Sequence, residues 1–239
     1  MAIREQLIEY RDGDATLEGF FCFDDARPGP LPAVLISHAW GGRGEFEERK
    51  ARRLAWDGYA TFALDMYGKG KRGTNPEENM ALMGPLMQDR NVLARRINAA
   101  VSAVKQLPQV HAPRVAAMGF CFGGLCVLDL ARSGADVRGV VSFHGLLKPA
   151  TGVPPAKIKA KVLILHGYDD PMAPPEEVLA IAKEFTQAGV DWQLHAYGQT
   201  MHAFTEPKAN NPAAGLLYHE SADRRSWHTL KEFLGEVLK

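Results

Sequence analysis

Cysteine is scarce in this chain and neither sign of charge is in surplus. Three cysteines, Cys22, Cys121 and Cys126, occur in 239 residues. The number is odd and no C-x-x-C pair is present, so no disulfide framework or zinc ribbon is legible. That thiol content suits a reducing, cytoplasmic setting. Lys plus Arg and Asp plus Glu each total 28. A nucleic-acid binder needs surplus cations to displace phosphate counterions, and a polybasic membrane surface needs them for anionic lipid; both classes are set aside. No apolar run approaches the ~20 residues that span a bilayer. The first ten residues mix charged and apolar side chains and hold no apolar signal core. No repeat, low-complexity tract or linker divides residues 1–239, which read as one domain.

What is present is an alternation of two patterns. Hydrophobic residues make up 46% of the chain. The first 25 residues read as a β-hairpin around the turn Asp12-Gly13-Asp14. A short apolar run at 33–37 suits a strand buried on both faces, and further strands are read at 61–64, 115–119, 137–143, 162–166 and 192–197. Between them lie helical patterns at 45–56, 86–107, 125–131, 175–188 and 218–238. Residues 67–84, rich in Gly, Lys and Asn, read as a loop or lid. Strand and helix alternating in this way predict an α/β fold, a mostly parallel sheet with helices on both faces.

The chemistry points to one turn. Gly119-Phe120-Cys121-Phe122-Gly123-Gly124 lies between an apolar run and a helical one. It matches the G-x-S-x-G nucleophile elbow, with cysteine in the serine place. A strand that turns at once into a helix strains its central residue, and flanking glycines remove the Cβ atoms that would collide. The nucleophile then stands over a helix N-terminus, where free N–H groups favour negative charge. The turn carries neither pattern of the phosphate-binding loops.

Partners follow in the order expected of an α/β-hydrolase: nucleophile, acid, base. Asp170 follows the run 162–166 in His166-Gly167-Tyr168-Asp169-Asp170, with Asp169 as the alternative acid. His202 follows the run 192–197 and is placed to take the thiol proton, the carboxylate setting its tautomer. The loop His38-Ala39-Trp40-Gly41-Gly42 follows the first buried strand, where the second oxyanion donor, a backbone N–H, is expected.

These segments together resemble the dienelactone hydrolase family over nearly the whole chain. The resemblance is carried by VLISHAWGG (34–42), DGYATFALDMYGKG (57–70), GFCFGG (119–124), LHGYDDP (165–171) and MHAFTEP (201–207). It implies an α/β-hydrolase fold, Cys121 as nucleophile, Asp170 as acid, His202 as base and oxyanion donors at the amides of Phe122 and Trp40. It also implies a pocket walled by His38, Ala39, Tyr67 and Phe204. The implied activity is of the carboxymethylenebutenolidase type, hydrolysis of a small ester or lactone through a thioester, with no metal or organic cofactor, by a monomer or homodimer. Thioesterase activity, or a non-catalytic protein with a sensing cysteine, are the alternatives. Two positions depart from the family pattern. Ala39 stands where a glutamate approaches the thiol, and Glu206 where an arginine binds a substrate carboxylate.

Overall fold

Successive residues of the central strands enter different cores. The computed structural model describes residues 2–154 and 156–239. Strand β3 (Leu31–Ser37) sends Ala33 and Leu35 to one hydrophobic cluster and Val34 and Ile36 to another. A strand's side chains alternate between faces. An unbroken apolar run is therefore stable only where helices cover both sides. The other strands of the eight-stranded sheet are β1 (Ile3–Asp12), β2 (Ala15–Asp24), β4 (Ala60–Leu64), β5 (Val110–Phe120), β6 (Gly139–Phe143), β7 (Lys161–Gly167) and β8 (Trp192–Tyr197). Strands β1 and β2 form the expected hairpin, and β2 joins β4 antiparallel. From β4 to β8 all pairings are parallel, in the order β1-β2-β4-β3-β5-β6-β7-β8.

Helices α1 (Glu45–Trp56) and α6 (Glu220–Val237) cover one face, burying Ala51, Leu54, Leu230 and Phe233. On the other face lie α2 (Pro76–Gln88), α3 (Arg90–Lys105), α4 (Phe122–Arg132) and α5 (Pro175–Gln187). They bury Leu86, Ile97, Leu128 and Phe185.

The segment 67–84, expected as a loop, contains most of helix α2. Its start is chemically marked: the Asn75 side chain accepts from the Glu78 amide, and Pro76 takes the first helical position. The helix expected over 86–107 is broken at Asp89. The Asp89 carboxylate accepts from the amides of Asn91 and Val92 and caps α3 afresh.

Strand order reverses beside β3, since β4 lies on one side of it and β5 on the other. The loops leaving β3 and β5 therefore diverge and open a crevice at the carboxyl edge of the sheet, the usual site of ligand binding in open α/β sheets. No helix among the described residues is long and apolar enough to cross a membrane.

Candidate active site

One wall of the crevice is the turn from β5 into α4. Cys121 occupies it with φ 54° and ψ −116°, a backbone conformation that costs energy in any residue with a Cβ. Its amide donates to Phe143 O of β6 at 3.0 Å, and its carbonyl accepts from Gly124 N at 3.0 Å. The glycines answer to neighbouring backbone. A Cβ on Gly119 would lie 2.1 Å from Gly123 O, and one on Gly123 would lie 2.2 Å from Ser37 O of β3. The elbow is thus wedged between two chain segments, and Cys121 is left half-buried, lining the cleft.

The loop after β7 carries Asp170, the acid expected from the sequence. Asp170 is buried; its Oδ2 lies 2.7 Å from His202 Nδ1, and its Oδ1 accepts from Met172 N at 2.8 Å. Asp169 is exposed. His202 sits in the loop after β8 and is 1% exposed. Its amide donates to Gly215 O at 2.9 Å and its carbonyl accepts from Leu217 N at 3.1 Å, which fixes the loop over the crevice. Its Nε2 has no well-formed hydrogen bond among the described residues. Burial opposes charge on this ring, but the neighbouring Cys121 charge, the Asp170 hydrogen bond and a looser one to Cys121 outweigh it, raising its pKa to about 10.

His144, at the end of β6, packs edge-on against His202 with ring centroids 5.1 Å apart. Its Nε2 bonds Thr205 Oγ1 at 2.8 Å. Burial and the charge of His202 hold its pKa well below the ordinary imidazole value, so it stays neutral. It lines the crevice beside the His202 ring.

The opposite wall is the loop from β3 to α1. Here the peptide between Ala39 and Trp40 is gripped by side chains. His38 Nδ1 lies 2.6 Å from Ala39 O, and Met66 N donates to His38 Nε2 at 3.1 Å. An acceptor at Nε2 leaves the proton on Nδ1. The Ala39 carbonyl and the Trp40 N–H belong to one planar unit, so His38 aims the Trp40 amide. Tyr67 Oη donates to Trp40 O at 2.8 Å and holds the following peptide. The amides of Trp40 and Phe122 donate to no acceptor among the described residues.

Of the four side chains expected to wall the pocket, Ala39 does so, together with Trp40. His38, Tyr67 and Phe204 are buried behind the wall. They are tied up in packing and hydrogen bonds: the His38 and Tyr67 rings are 4.6 Å apart, and Phe204 supports His144 at 5.1 Å. The cleft encloses about 1180 Å³. Its apolar lining includes Phe46 of α1, Met80 and Met83 of α2, and Leu146. Glu206 also lines it.

The residue that sequence reasoning missed is Glu47. Its carboxylate lies on the cleft wall, 3% exposed, and accepts from Ala39 N at 3.2 Å and Gly44 N at 2.9 Å. Burial pushes its pKa up to about 7, against its backbone donors and with a small contribution from Glu206. The legible signal was Gly44-x-x-Glu47, the spacing of a capping box, which foretells the Gly44 contact but not the one to Ala39.

The comparisons with known proteins agree with this architecture. The model of the dienelactone hydrolase family matches residues 18–238. A putative carboxymethylenebutenolidase of Aquifex aeolicus is 26% identical, covering 98% of this chain and 99% of that protein. A probable 2-oxo-3-(5-oxofuran-2-ylidene)propanoate lactonase of a Bradyrhizobium species is 30% identical, covering 76% of this chain and 77% of its own. Among solved structures, the dienelactone hydrolase-like promiscuous phosphotriesterase P91 from metagenomic libraries superposes with a TM-score of 0.93, at 34% identity and 100% coverage of both chains. The chain belongs to the dienelactone hydrolase family, a family of carboxylic ester and lactone hydrolases.

Proposed function

We propose that the protein hydrolyses neutral esters or lactones through a thioester on Cys121. The observation that carries this reading is the cluster itself: a strained cysteine at the elbow, the His202 ring beside it, and Asp170 bonded to that ring at 2.7 Å. His202 takes the thiol proton from Cys121, and Asp170 fixes the ring with Nε2 facing the sulfur. The thiolate attacks the carbonyl carbon, and the oxyanion rests on the amides of Phe122 and Trp40. The intermediate collapses, the C–O bond breaks, and imidazolium at His202 protonates the leaving alkoxide or enolate. A water deprotonated by His202 then cleaves the thioester and restores the thiol.

The wall chemistry supports a neutral substrate. Trp40, Phe46, Met80, Met83 and Leu146 give an apolar lining, while the cations Arg49, Arg72, Lys148 and Lys208 are equalled in number by Glu45, Glu47, Glu177 and Glu206. With acidic Glu206 in the cleft, a substrate carboxylate meets repulsion. Neutral phosphotriesters are a second substrate class, favoured by the full-length similarity to P91. A phosphoryl oxygen would use the same two amides.

The test is a hydrolysis screen of p-nitrophenyl esters, a neutral γ-lactone, an anionic dienelactone and a dialkyl aryl phosphotriester, with Cys121→Ala as control. Turnover of the neutral esters is expected to exceed that of the anionic lactone, and to fall at least about 10⁴-fold in the variant, as when a nucleophile is removed. Retention of activity by the variant would remove Cys121 from the mechanism.

A further inference from the structure

The wall opposite Cys121 contains a buried carboxylate that the proposed chemistry does not use. Glu47 stands at the third position of α1, and half of its contacts are those of a helix cap: Oε2 takes the Gly44 amide. The other half is not. Oε1 reaches back out of the helix to the amide of Ala39, eight residues earlier. The two oxygens therefore join the two ends of the turn 39–44. Trp40, the residue whose amide is assigned to the oxyanion, lies inside that span. The peptide it belongs to is held at its carbonyl by His38, and the next carbonyl by Tyr67. Glu47 is the one partner of these three that is acidic.

We infer that Glu47 is a positioning residue whose ionised carboxylate, by fixing the Ala39 amide, holds the adjoining Ala39–Trp40 peptide in register for the oxyanion. The inference rests on the reading of Cys121 as an acylated nucleophile. An ionised carboxylate accepts on both oxygens; a protonated one has a hydroxyl on one of them, which accepts poorly. Protonation therefore releases one end of the turn. Loosening a donor that must lie within about 3 Å of the oxyanion slows acylation without touching the sulfur. Burial of Glu47 places this protonation near neutral pH. The charged and titratable groups sharing its cleft are Glu45 and Arg49 on its own helix, Arg72, Lys148, Glu206 and Lys208 on neighbouring loops, Glu177 of α5, and Cys121, His144 and His202. Glu206 is the carboxylate among them that adds to the upward shift.

The experiment compares two reactions of the same thiol. Alkylation of Cys121 by iodoacetamide depends on the sulfur and His202 and forms no oxyanion. The acylation burst with p-nitrophenyl acetate depends on the oxyanion donors as well. Glu47→Gln is nearly isosteric and keeps one acceptor, so it mimics the protonated acid. The variant is expected to alkylate within twofold of the parent at pH 8 and to acylate on the order of 10- to 100-fold more slowly, with KM changed less than threefold. Its acylation rate should be flat between pH 6 and 8, where the parent rises. Glu47→Asp, which keeps the charge but shortens the reach, should restore the pH-dependent rise in part. Equal slowing of alkylation and acylation, or an acylation rate within twofold of the parent, overturns the inference. A parent that alkylates at Cys121 yet gives no acyl burst overturns both the inference and the site reading on which it stands.

Discussion

The two walls of the cleft are built by opposite means. The elbow wall is held by backbone against backbone. Gly119, Gly123 and Gly124 admit neighbouring strands and loops to distances that no Cβ would permit, and the Cys121 amide is bonded to β6. The opposing wall is held by side chains: His38, Glu47 and Tyr67, each fastened to a backbone atom of Ala39 or Trp40. A wall made of backbone packing has no intermediate settings, because a displaced strand disturbs the whole sheet. A wall made of side-chain hydrogen bonds has separable parts, and one of them, Glu47, titrates near neutrality. Cys121 is thus mounted on the rigid side, and the adjustable carboxylate lines the same cleft.

The sharpest way to break this comparison is Gly123→Ala. The added methyl would sit 2.2 Å from Ser37 O, a backbone atom of β3 with no freedom to yield. Overpacking of this kind typically costs about 1–3 kcal/mol and here forces β3 and α4 apart. Loss of all esterase activity together with a fall in thermal midpoint is expected. Calorimetry and turnover of p-nitrophenyl acetate check it; a folded, active variant would show that the elbow is not rigid.

The second prediction separates the walls by pH. The folded-state pKa of Glu47, about 7, lies above its unfolded value near 4.5. The native state therefore holds the proton more tightly, and stability from this residue is fully present below pH 4.5. It is lost as pH rises to about 7, beyond which the curve is flat. The full shift corresponds to at most about 3.5 kcal/mol, at roughly 1.4 kcal/mol per unit. Urea midpoints for the parent should fall from pH 5 to pH 7 more steeply than those of Glu47→Gln. Parallel curves would place the ionisation elsewhere. The sign is opposite to that expected for catalysis, where the ionised form is the useful one: the carboxylate that sets the oxyanion loop lowers stability where it raises rate.

The smallest effect belongs to Tyr67→Phe. It removes one hydroxyl, the donor to Trp40 O at 2.8 Å, and leaves the ring packed on His38 and Phe122. A net hydrogen bond is worth about 1 kcal/mol, so kcat should fall about threefold to tenfold with KM unchanged. Steady-state kinetics reads this directly, and an unchanged kcat would mean that His38 and Glu47 suffice to orient the loop.

The contrast between the walls also explains what could be read from the chain. The elbow was legible because its requirements are local: a strand, a cysteine and glycines at fixed offsets within six residues. The order Cys121, Asp170, His202 was legible because each residue follows an apolar run, and parallel strands deliver their carboxyl ends to a common edge. Spacing favoured Asp170 over Asp169, since it completes His-Gly-x-x-Asp from His166. Burial and the 2.7 Å contact with His202 distinguish them. The pocket was read less well. His38, Tyr67 and Phe204 adjoin the right segments, yet their side chains turn inward, because buried backbone carbonyls and the His144 ring needed partners. Helix α2 was missed because two prolines and a low hydrophobic contrast hid a helix whose Asn75 cap and Pro76 were nonetheless visible.

The amino-acid order by itself determined the strand and helix alternation, and with it the parallel sheet and the elbow that bears a thiol. Those features follow from periodicity and short spacings, which a chain carries without knowing its neighbours. The tertiary structure alone decided which contacts the carboxylates make. Asp170, already singled out by its spacing, acquires its contact with a ring 32 residues away. Glu47 acquires its own by closing a turn from the far end, in a place dry enough to raise its proton affinity. Both depend on burial and on distances between segments, quantities that exist only after the sheet has assembled.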